Sequence, residues 1–369
     1  MIMQQTVIHG FGSHQKIASA LEAFGCKKYL LVCDSSFRFL EIGAYFSSLS
    51  TPYAVFDGFT SNPCYEDICN GVALFHREKC DCIVAVGGSS IDVAKCIKLF
   101  AGMDPSKLYL EQPYADSGIP LLAIPTTAGT GSESTHFAVI YYGGKKYSVA
   151  HGSILPDYAI LEPSLLKTLP LYQKKCTLLD ALCQAIESWW SVRACEESIA
   201  YSKTAIELIV KHRCEYLNEN SDAAAEQIML AANYAGRAIN LTTTTAAHAM
   251  SYKLTSLYGL PHGHAVAVCL PKLWKFMSTH MEQCNAPGGE AYLSERFQDI
   301  AKTYGAEDVS DAIAKFEKMM HEMEIEAPQI KEADVHLLTS SVNAVRLGNN
   351  PVTLSENDLE TLYRTISKE

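Results

Sequence analysis

The stretch CIVAVGGSSIDVAK, residues 82–95, decides the fold of this chain. Five apolar residues lead into two glycines and then directly into a helical pattern. This order predicts a buried strand, a tight turn and a helix whose first N–H groups face an anion, for which pyrophosphate is suited. A plain strand-to-helix turn capped by Ser89 or Ser90 explains the same stretch equally well.

Similar apolar runs on both sides of this stretch predict an α/β domain. Each run ends at Asp, Gly or Pro, and amphipathic stretches such as 69–79 and 91–100 separate them. Strand and helix in alternation predict right-handed crossovers and a doubly wound parallel sheet, with ligands at the carboxyl ends of the strands. The predicted strands are Tyr29–Cys33, Tyr53–Phe56, Cys82–Val86 and Leu121–Ile124.

The pattern becomes helical after about residue 165. We therefore predict an α/β domain at 1–165 and an all-α domain at 166–369. Four consecutive threonines at 242–245 predict a break in the longest helical stretch, because β-branched residues weaken a helix. The helical patterns cover residues 174–191, 197–217, 223–258, 264–282 and 291–304.

Length and composition exclude several classes of protein. A chain of 369 residues is long enough for two domains. Its 41 acidic and 30 basic residues give a net charge of −11, which argues against a nucleic-acid partner. Thirteen scattered cysteines favour a reducing compartment, so we expect a cytoplasmic protein. The sequence shows neither a signal peptide nor an apolar run of about 18–20 residues, so no membrane association is expected.

A second loop with phosphate-binding character follows the fourth predicted strand. Residues 125–133 read PTTAGTGSE and combine hydroxyl groups with two glycines, which suits a polyanionic or polyhydroxylated ligand. A simple Gly/Thr turn is the alternative. Asp34 directly follows the first predicted strand, where a carboxylate binds a ribose hydroxyl and repels a 2′-phosphate.

The helical half carries a set of oxygen and nitrogen donors. Asp180 and Gln184 are four residues apart and share a helix face, His248 lies on another helix, and His262 and His264 flank a glycine. Each histidine alone is more often structural. Together these residue types are the ligands that a divalent metal such as Fe²⁺ or Zn²⁺ accepts.

These motifs together resemble the iron-containing (group III) alcohol dehydrogenase family. The resemblance rests on residues 87–95, on the whole 125–133 loop, on Asp180-Ala181-Leu182 and on His248, which lies fourteen residues before His262. It implies a dehydroquinate synthase-like fold, with an N-terminal dinucleotide-binding domain and a C-terminal helical domain that binds metal and substrate.

The resemblance also implies a role for individual residues. Asp180, His248 and His262 match metal ligands, while Asp34 would bind the adenosine ribose and Lys146 would lie near the nicotinamide. The implied cofactor-binding residues are Asp34, Gly87, Gly88, Ser89, Asp92, Thr126, Thr127, Thr130, Ser132 and Lys146.

The sequence departs from the family pattern at three positions. Val86 replaces the first of three glycines that the family usually has. Gln184 stands at the fourth metal-ligand position, where the family has His, and offers only an amide oxygen. Tyr252 stands where some relatives have a histidine near the substrate. Fe²⁺ is the expected metal, with Zn²⁺ or Mn²⁺ as alternatives.

A narrower resemblance points to the phosphonoacetaldehyde reductases. It rests on the strings at 180–188, 248–253, 261–265 and 349–352. A substrate that carries a phosphonate needs cations in its pocket. The candidate cations are Arg193 and Lys253, with Arg237 and Arg346 as further candidates.

The expected reaction is hydride transfer between NAD(H), or NADP(H), and a small aldehyde or alcohol. The metal acts as a Lewis acid, and His264, Tyr252 or a water chain carries the proton. The resemblance also implies a homodimer. The alternatives are a dehydroquinate-synthase-like enzyme that uses NAD transiently, distinguished by the absence of net NADH turnover, and a non-catalytic relative that only binds nucleotide or metal.

Overall fold

The computed structural model describes residues 5–60 and 62–367. The chain divides into two compact units at Leu169 and Pro170, and Ser221–Leu230 groups with the first unit. The domain boundary predicted at residue 165 stays a prediction. Lys167 and Asp222, which both belong to the first unit, form an ion pair at 2.5 Å.

A parallel sheet forms the centre of the first unit, as the sequence predicted. The strands of this unit are β1 (Thr6–His9), β2 (Tyr29–Cys33), β3 (Tyr53–Phe56), β4 (Cys82–Val86), β5 (Leu121–Ile124), β6 (Phe137–Tyr142), β7 (Lys145–Ala150) and β8 (Tyr158–Leu161). The order β1-β8-β5-β4-β2-β3 makes one parallel six-stranded sheet, and β6 and β7 pair as a separate antiparallel hairpin.

Helices cover both faces of this sheet. They are α1 (Ile17–Ala23), α2 (Ile42–Ser48), α3 (Tyr65–Arg77) and α4 (Ser89–Phe100). Along β2, Leu30 packs in the cluster that contains α3 and α4, whereas Leu31 packs in the cluster that contains α1 and α2. Because both faces are buried, the strand reads as a continuous apolar run rather than an alternating one.

The second unit is helical, with an isolated antiparallel bridge between Cys284 and Val352 among its described residues. Its helices, including α7, which begins in the first unit, are α5 (Leu171–Trp190), α6 (Glu196–Cys214), α7 (Asp222–Thr242), α8 (Ala246–Tyr258), α9 (His262–Thr279), α10 (Gly289–Thr303), α11 (Val309–Glu322), α12 (Glu332–Ser340), α13 (Ala344–Leu347) and α14 (Glu356–Ile366).

The core of the second unit is aromatic. Trp190 at the end of α5 meets Trp274 of α9 and Phe297 of α10, with ring centroids 5.7 and 5.8 Å apart. The predicted break in the threonine run is confirmed, because α7 ends at Thr242 and Thr243 has a positive φ of 61°. Within 5–60 and 62–367, no helix is both long and apolar enough to cross a bilayer.

Candidate active site

The sheet register brings three predicted cofactor-binding segments to one edge. Cys33 is paired with Val86, and Val86 with Ile124, so β2, β4 and β5 end side by side. The segments that begin at Asp34, Gly87 and Pro125 therefore leave the sheet together. This edge is the carboxyl end of the strands, where parallel sheets bind nucleotides.

Gly87 has a conformation and surroundings that require glycine. Its φ is +140°, and a Cβ there would lie 2.5 Å from Oγ of Ser90 and 3.7 Å from Oδ2 of Asp34. Asp34 accepts a hydrogen bond from the backbone N–H of Ser36 at 2.8 Å, which fixes its carboxylate beside this turn. Gly87, just before α4, therefore lies next to the carboxylate of Asp34, which was predicted to bind ribose.

The loop 125–133 is braced by two side chains of α4. Asp92 accepts hydrogen bonds from Oγ of Ser132 and from the N–H of Val139, the latter at 2.9 Å. The buried Lys95 donates to Ser132 Oγ at 3.1 Å and to Thr135 Oγ1 at 2.9 Å. Asp92 and Ser132, both predicted to bind cofactor, thus bind each other and hold the loop in place.

The other predicted cofactor residues differ in position. A Cβ on Gly88 would lie 3.8 Å from Oγ1 of Thr127, so the two glycine-containing loops adjoin. Thr126 and Ser89 are half-buried at the same sheet edge, and Thr130 is exposed. Lys146 lies on β7 of the separate hairpin, where its side chain is exposed.

Asp180, His248 and His262 come together in the second unit, as predicted for metal ligands. Oδ1 of Asp180 lies 3.3 Å from Nε2 of His248 and 3.8 Å from Nε2 of His262. One ligand atom from each residue lies within 4.8 Å of the others. Burial would raise the pKa of Asp180, but the two histidines and Gln184 lower it overall, so the residue is a carboxylate.

Gly263 explains how His262 reaches this group. A Cβ at position 263 would overlap the backbone carbonyl of Cys176 and lie 2.9 Å from Cβ of Asp180. Only glycine lets the start of α9 pack directly on α5. This close packing holds His262, the residue before Gly263, next to Asp180.

Glu187 is a member of the site that the sequence analysis missed. Its Oε1 accepts hydrogen bonds from Thr245 Oγ1 at 2.6 Å and from the N–H of Ala247 at 3.0 Å, and its Oε2 binds Nδ1 of His248. The carboxylate therefore supports the start of α8 and orients the imidazole. Its spacing from Asp180, seven residues along one helix face, was the signal available in the sequence.

Gln184 lies one turn after Asp180 on the same face of α5. It is buried, and its amide hydrogen-bonds to the Asp180 carboxylate. Gln184, the predicted fourth metal ligand, thus lies beside the candidate ligand Asp180.

Tyr252 and His264, the two predicted proton donors, have different surroundings. The Tyr252 ring stacks on His262 with centroids 5.8 Å apart; burial raises the pKa of its hydroxyl, and the nearby guanidinium of Arg346 partly offsets this rise. In His264, Nδ1 lies 2.8 Å from the Tyr172 hydroxyl and Nε2 lies 2.7 Å from the carbonyl of Glu326. Both nitrogens of His264 are thus engaged in structural contacts, which favours Tyr252.

Comparison with known proteins identifies the family. Residues 4–163 match the model of the iron-containing alcohol dehydrogenases, and residues 175–367 match the model of the C-terminal part of that family. The chain belongs to the iron-containing alcohol dehydrogenase family. It is an oxidoreductase of alcohols or aldehydes, and the family uses NAD(H) and iron. This membership does not favour the dehydroquinate-synthase-like or non-catalytic alternatives.

Three proteins illustrate what this chain is similar to in sequence and structure. It is 31% identical to 1,3-propanediol dehydrogenase of Klebsiella pneumoniae, covering 94% of this chain and 93% of that one. It is 34% identical to phosphonoacetaldehyde reductase of Streptomyces viridochromogenes over 62% and 61% of the two chains. Sulfoacetaldehyde reductase of Bifidobacterium kashiwanohense, solved with NAD⁺, has a TM-score of 0.89 and 25% identity, covering 99% and 97%.

The candidate cations of this alcohol dehydrogenase lie in different places. Arg346 contacts Tyr252 and thereby the metal-ligand group. Arg237 instead donates to Asn233 at 3.0 Å and lies over the ring of Tyr201. Arg193 is exposed and Lys253 is half-buried. Of the four candidates, Arg346 is the one that these interactions place near Tyr252, and the roles of Arg193 and Lys253 stay predictions.

Proposed function

We propose that this chain is a metal-dependent, NAD(H)-linked reductase of a small aldehyde that carries an anionic group. The proposed reaction consumes the aldehyde, NADH and a proton and yields the alcohol and NAD⁺; with phosphonoacetaldehyde the product is 2-hydroxyethylphosphonate. The observation that carries the proposal is the convergence of Asp180, His248 and His262 within 4.8 Å.

The donor set fits a divalent metal. One carboxylate oxygen and two imidazole nitrogens suit Fe²⁺, and also Zn²⁺ or Mn²⁺, while the hydrogen bond from His248 to Glu187 matches the support that metal-bound imidazoles receive. Asp180, His248 and His262 would hold the ion, with the Gln184 amide beside them. When bound, the metal supplies Lewis-acid stabilisation of the developing alkoxide, and the reduced nicotinamide supplies the hydride.

The side chains of this protein divide the remaining work. The free N–H groups at the start of α4 bind the pyrophosphate, and the carboxylate of Asp34 binds the ribose and disfavours NADPH. The threonines of the 125–133 loop add hydroxyl contacts to the cofactor. Tyr252, stacked beside His262, holds the proton that the alkoxide receives.

Two relatives support an anionic substrate, because their names specify aldehydes that bear a phosphonate or a sulfonate. We further propose a cytoplasmic homodimer. The thirteen cysteines are free thiols, which is consistent with a reducing compartment. Sedimentation analysis of the purified protein tests the dimer.

The test of the activity uses protein stripped with a chelator and reloaded anaerobically with Fe²⁺, Zn²⁺ or Mn²⁺. NADH absorbance is followed with phosphonoacetaldehyde and with propanal. We expect NADH consumption that Asp180→Asn abolishes, whereas Asp299→Asn, the same change at an exposed position of α10, retains it. Absence of NADH consumption with every metal and aldehyde would contradict the proposal. If Asp180→Asn reduces the aldehyde as fast as wild type, the metal takes no part in the reaction.

A further inference from the structure

The segment 343–352 is fixed to the helices that carry the metal-ligand group. Asn349 is buried, and its Nδ2 donates to the carbonyl of Thr242 at 2.8 Å and to that of Thr244 at 3.1 Å. Its Oδ1 accepts from Ser191 Oγ at 2.8 Å. One asparagine thus joins this segment to the end of α5 and to the turn before α8.

Arg346 lies one turn before this anchor, in the short helix α13. The backbone N–H of Arg346 donates a hydrogen bond to the side-chain oxygen of Asn343 at 3.0 Å. The backbone carbonyl of Arg346 accepts a hydrogen bond from the N–H of Asn349 at 3.1 Å. The backbone of Arg346 is therefore held from both sides. Its guanidinium lies near enough to the hydroxyl of Tyr252 to offset part of the rise that burial causes in the pKa of this phenol.

The contacts of Arg346 lead directly to the metal-ligand group. The Tyr252 ring stacks on His262, and Nε2 of His262 lies 3.8 Å from Oδ1 of Asp180. A guanidinium has five N–H donors in a planar fork, so contact with one phenol oxygen is compatible with bidentate contact to an oxoanion.

The charges around the site would favour a further cation for an anionic substrate. Asp180 and Glu187 are buried carboxylates, and burial strengthens their repulsion of another anion. The chain as a whole carries a charge of −11. A divalent metal bound at this group would balance these two carboxylates, so a substrate with a phosphonate would gain from a further fixed positive charge close to the carbonyl-binding position.

We propose that Arg346 forms an oxoanion subsite that binds the phosphonate or sulfonate of a short aldehyde whose carbonyl lies at the Asp180–His248–His262 group. This inference rests on the proposed aldehyde reductase activity and adds the residue that selects the substrate class. It assigns this role to Arg346, which the sequence offered as a further candidate beside Arg193 and Lys253.

The test compares wild type with Arg346→Met and Arg346→Lys, using phosphonoacetaldehyde, sulfoacetaldehyde and propanal. We expect the ratio of kcat/KM for the anionic aldehydes to that for propanal to fall about 10- to 100-fold in Arg346→Met, mainly through KM, since hydrogen bonds to charged groups have this strength. Arg346→Lys should recover part of the ratio. Loss confined to phosphonoacetaldehyde identifies a phosphonate site, and loss for both anions identifies a general oxoanion site.

A control variant and a binding measurement separate the ways in which the inference can fail. Arg364→Met changes an arginine of α14 that pairs with Glu332 and Glu360, and it should keep the wild-type ratio. An equal loss with all three aldehydes in Arg346→Met would mean that Arg346 only positions Tyr252, and would overturn the subsite.

Calorimetric binding of 2-hydroxyethylphosphonate to the same proteins is independent of turnover. If wild type reduces no aldehyde but binds this alcohol in a manner that Arg346→Met weakens at least tenfold, the subsite stands and the proposed activity is wrong. If wild type reduces propanal and Arg346→Met binds the alcohol as tightly as wild type, the activity stands and the subsite is wrong.

Discussion

Glu187 and His248 form a buried carboxylate–imidazole pair in which Nδ1 of the histidine binds the carboxylate and Nε2 lies 3.3 Å from Oδ1 of Asp180. The pair fixes both the tautomer and the orientation of the ring, because a carboxylate accepts only from a protonated nitrogen. Burial lowers the pKa of His248, but Glu187 and Asp180 raise it to about 9, so a metal that binds Nε2 would displace a proton from it. Glu187 thus prepares His248 to bind a cation.

Glu187→Gln tests this preparation. Glutamine keeps the length of the side chain and an acceptor oxygen, but it removes the charge that supports the imidazole. We expect Fe²⁺ or Zn²⁺ affinity to fall about 10- to 100-fold, as for other groups that support metal ligands. Competition with a chromogenic chelator measures the affinity. Glu197→Gln, on the surface of α6, is the matched control, and unchanged affinity in Glu187→Gln would contradict the role.

Gln184→His introduces the residue that the resemblance to the family implies at the fourth metal-ligand position. The imidazole would start one turn after Asp180 on the same helix face, where the glutamine amide already contacts the Asp180 carboxylate. Because imidazole is a better ligand than an amide oxygen for Fe²⁺ and Zn²⁺, affinity should rise at least about tenfold. The chelator competition applies again, with Gln184→Ala as the variant that offers no ligand. A histidine variant no tighter than wild type would show that the site does not use this position.

Three of the four strands that the sequence predicted, β2, β4 and β5, are buried along their whole length, whereas β3 lies at the sheet edge and is partly exposed. The runs at β2 and β4 have the predicted bounds because α1 and α2 cover one face and α3 and α4 the other. In contrast, Lys145–Ala150 was missed because most of its residues are exposed and polar. Thr6–His9 was missed because it is short, with exposed ends. The helices after Thr303 also lacked a recognised pattern.

The candidate site was predictable where spacing along one helix carries the information. Asp180 and Gln184 share a helix face by spacing alone, and Glu187 extends that face. The contacts of His264 were not predictable, because its partner Tyr172 is 92 residues away in the chain. The mutual contact of Asp92 and Ser132 likewise depends on packing between separate elements.

Gly263→Ala tests the close approach of α9 to α5. The added methyl would overlap the carbonyl of Cys176, a backbone atom that cannot rotate away. We expect a loss of about 1–3 kcal/mol in the free energy of unfolding, typical of overpacking, together with weaker metal binding as His262 moves. Gly152→Ala is the control, since nothing lies within 4 Å of its added methyl. Equal stability of the two variants in urea unfolding would refute the packing argument.

Tyr252→Phe distinguishes the two predicted proton donors. Phenylalanine keeps the ring that stacks on His262 and removes only the hydroxyl. If this hydroxyl delivers the proton, kcat with propanal should fall about 100-fold with little change in KM. His264→Gln should lower the melting temperature by a few degrees, because it disturbs the contacts to Tyr172 and Glu326, and should lower kcat far less. The reverse order of kcat values would assign the proton to His264.

Glu162→Gln tests the acid stability of the first unit. The carboxylate is buried and accepts hydrogen bonds from the backbone of Ser164 at 3.2 Å and from the backbone of His14 at 3.2 Å, with His14 Nδ1 at 2.7 Å. Burial alone would raise the pKa of Glu162, but these contacts lower it below its ordinary value of 4.5.

A carboxyl group whose pKa is lower in the folded state binds fewer protons there than when unfolded. Its stabilising contribution is therefore complete above pH 4.5 and is lost as the pH falls through the folded-state pKa. We expect wild type to exceed Glu162→Gln by about 1–2 kcal/mol at pH 7 and this difference to shrink below pH 4.5. Urea unfolding across pH 3–7 measures it, with the exposed Glu22→Gln as the control. A stability difference that does not change with pH would mean that the charge of Glu162 contributes nothing, because van der Waals packing does not depend on the protonation state of the side chain.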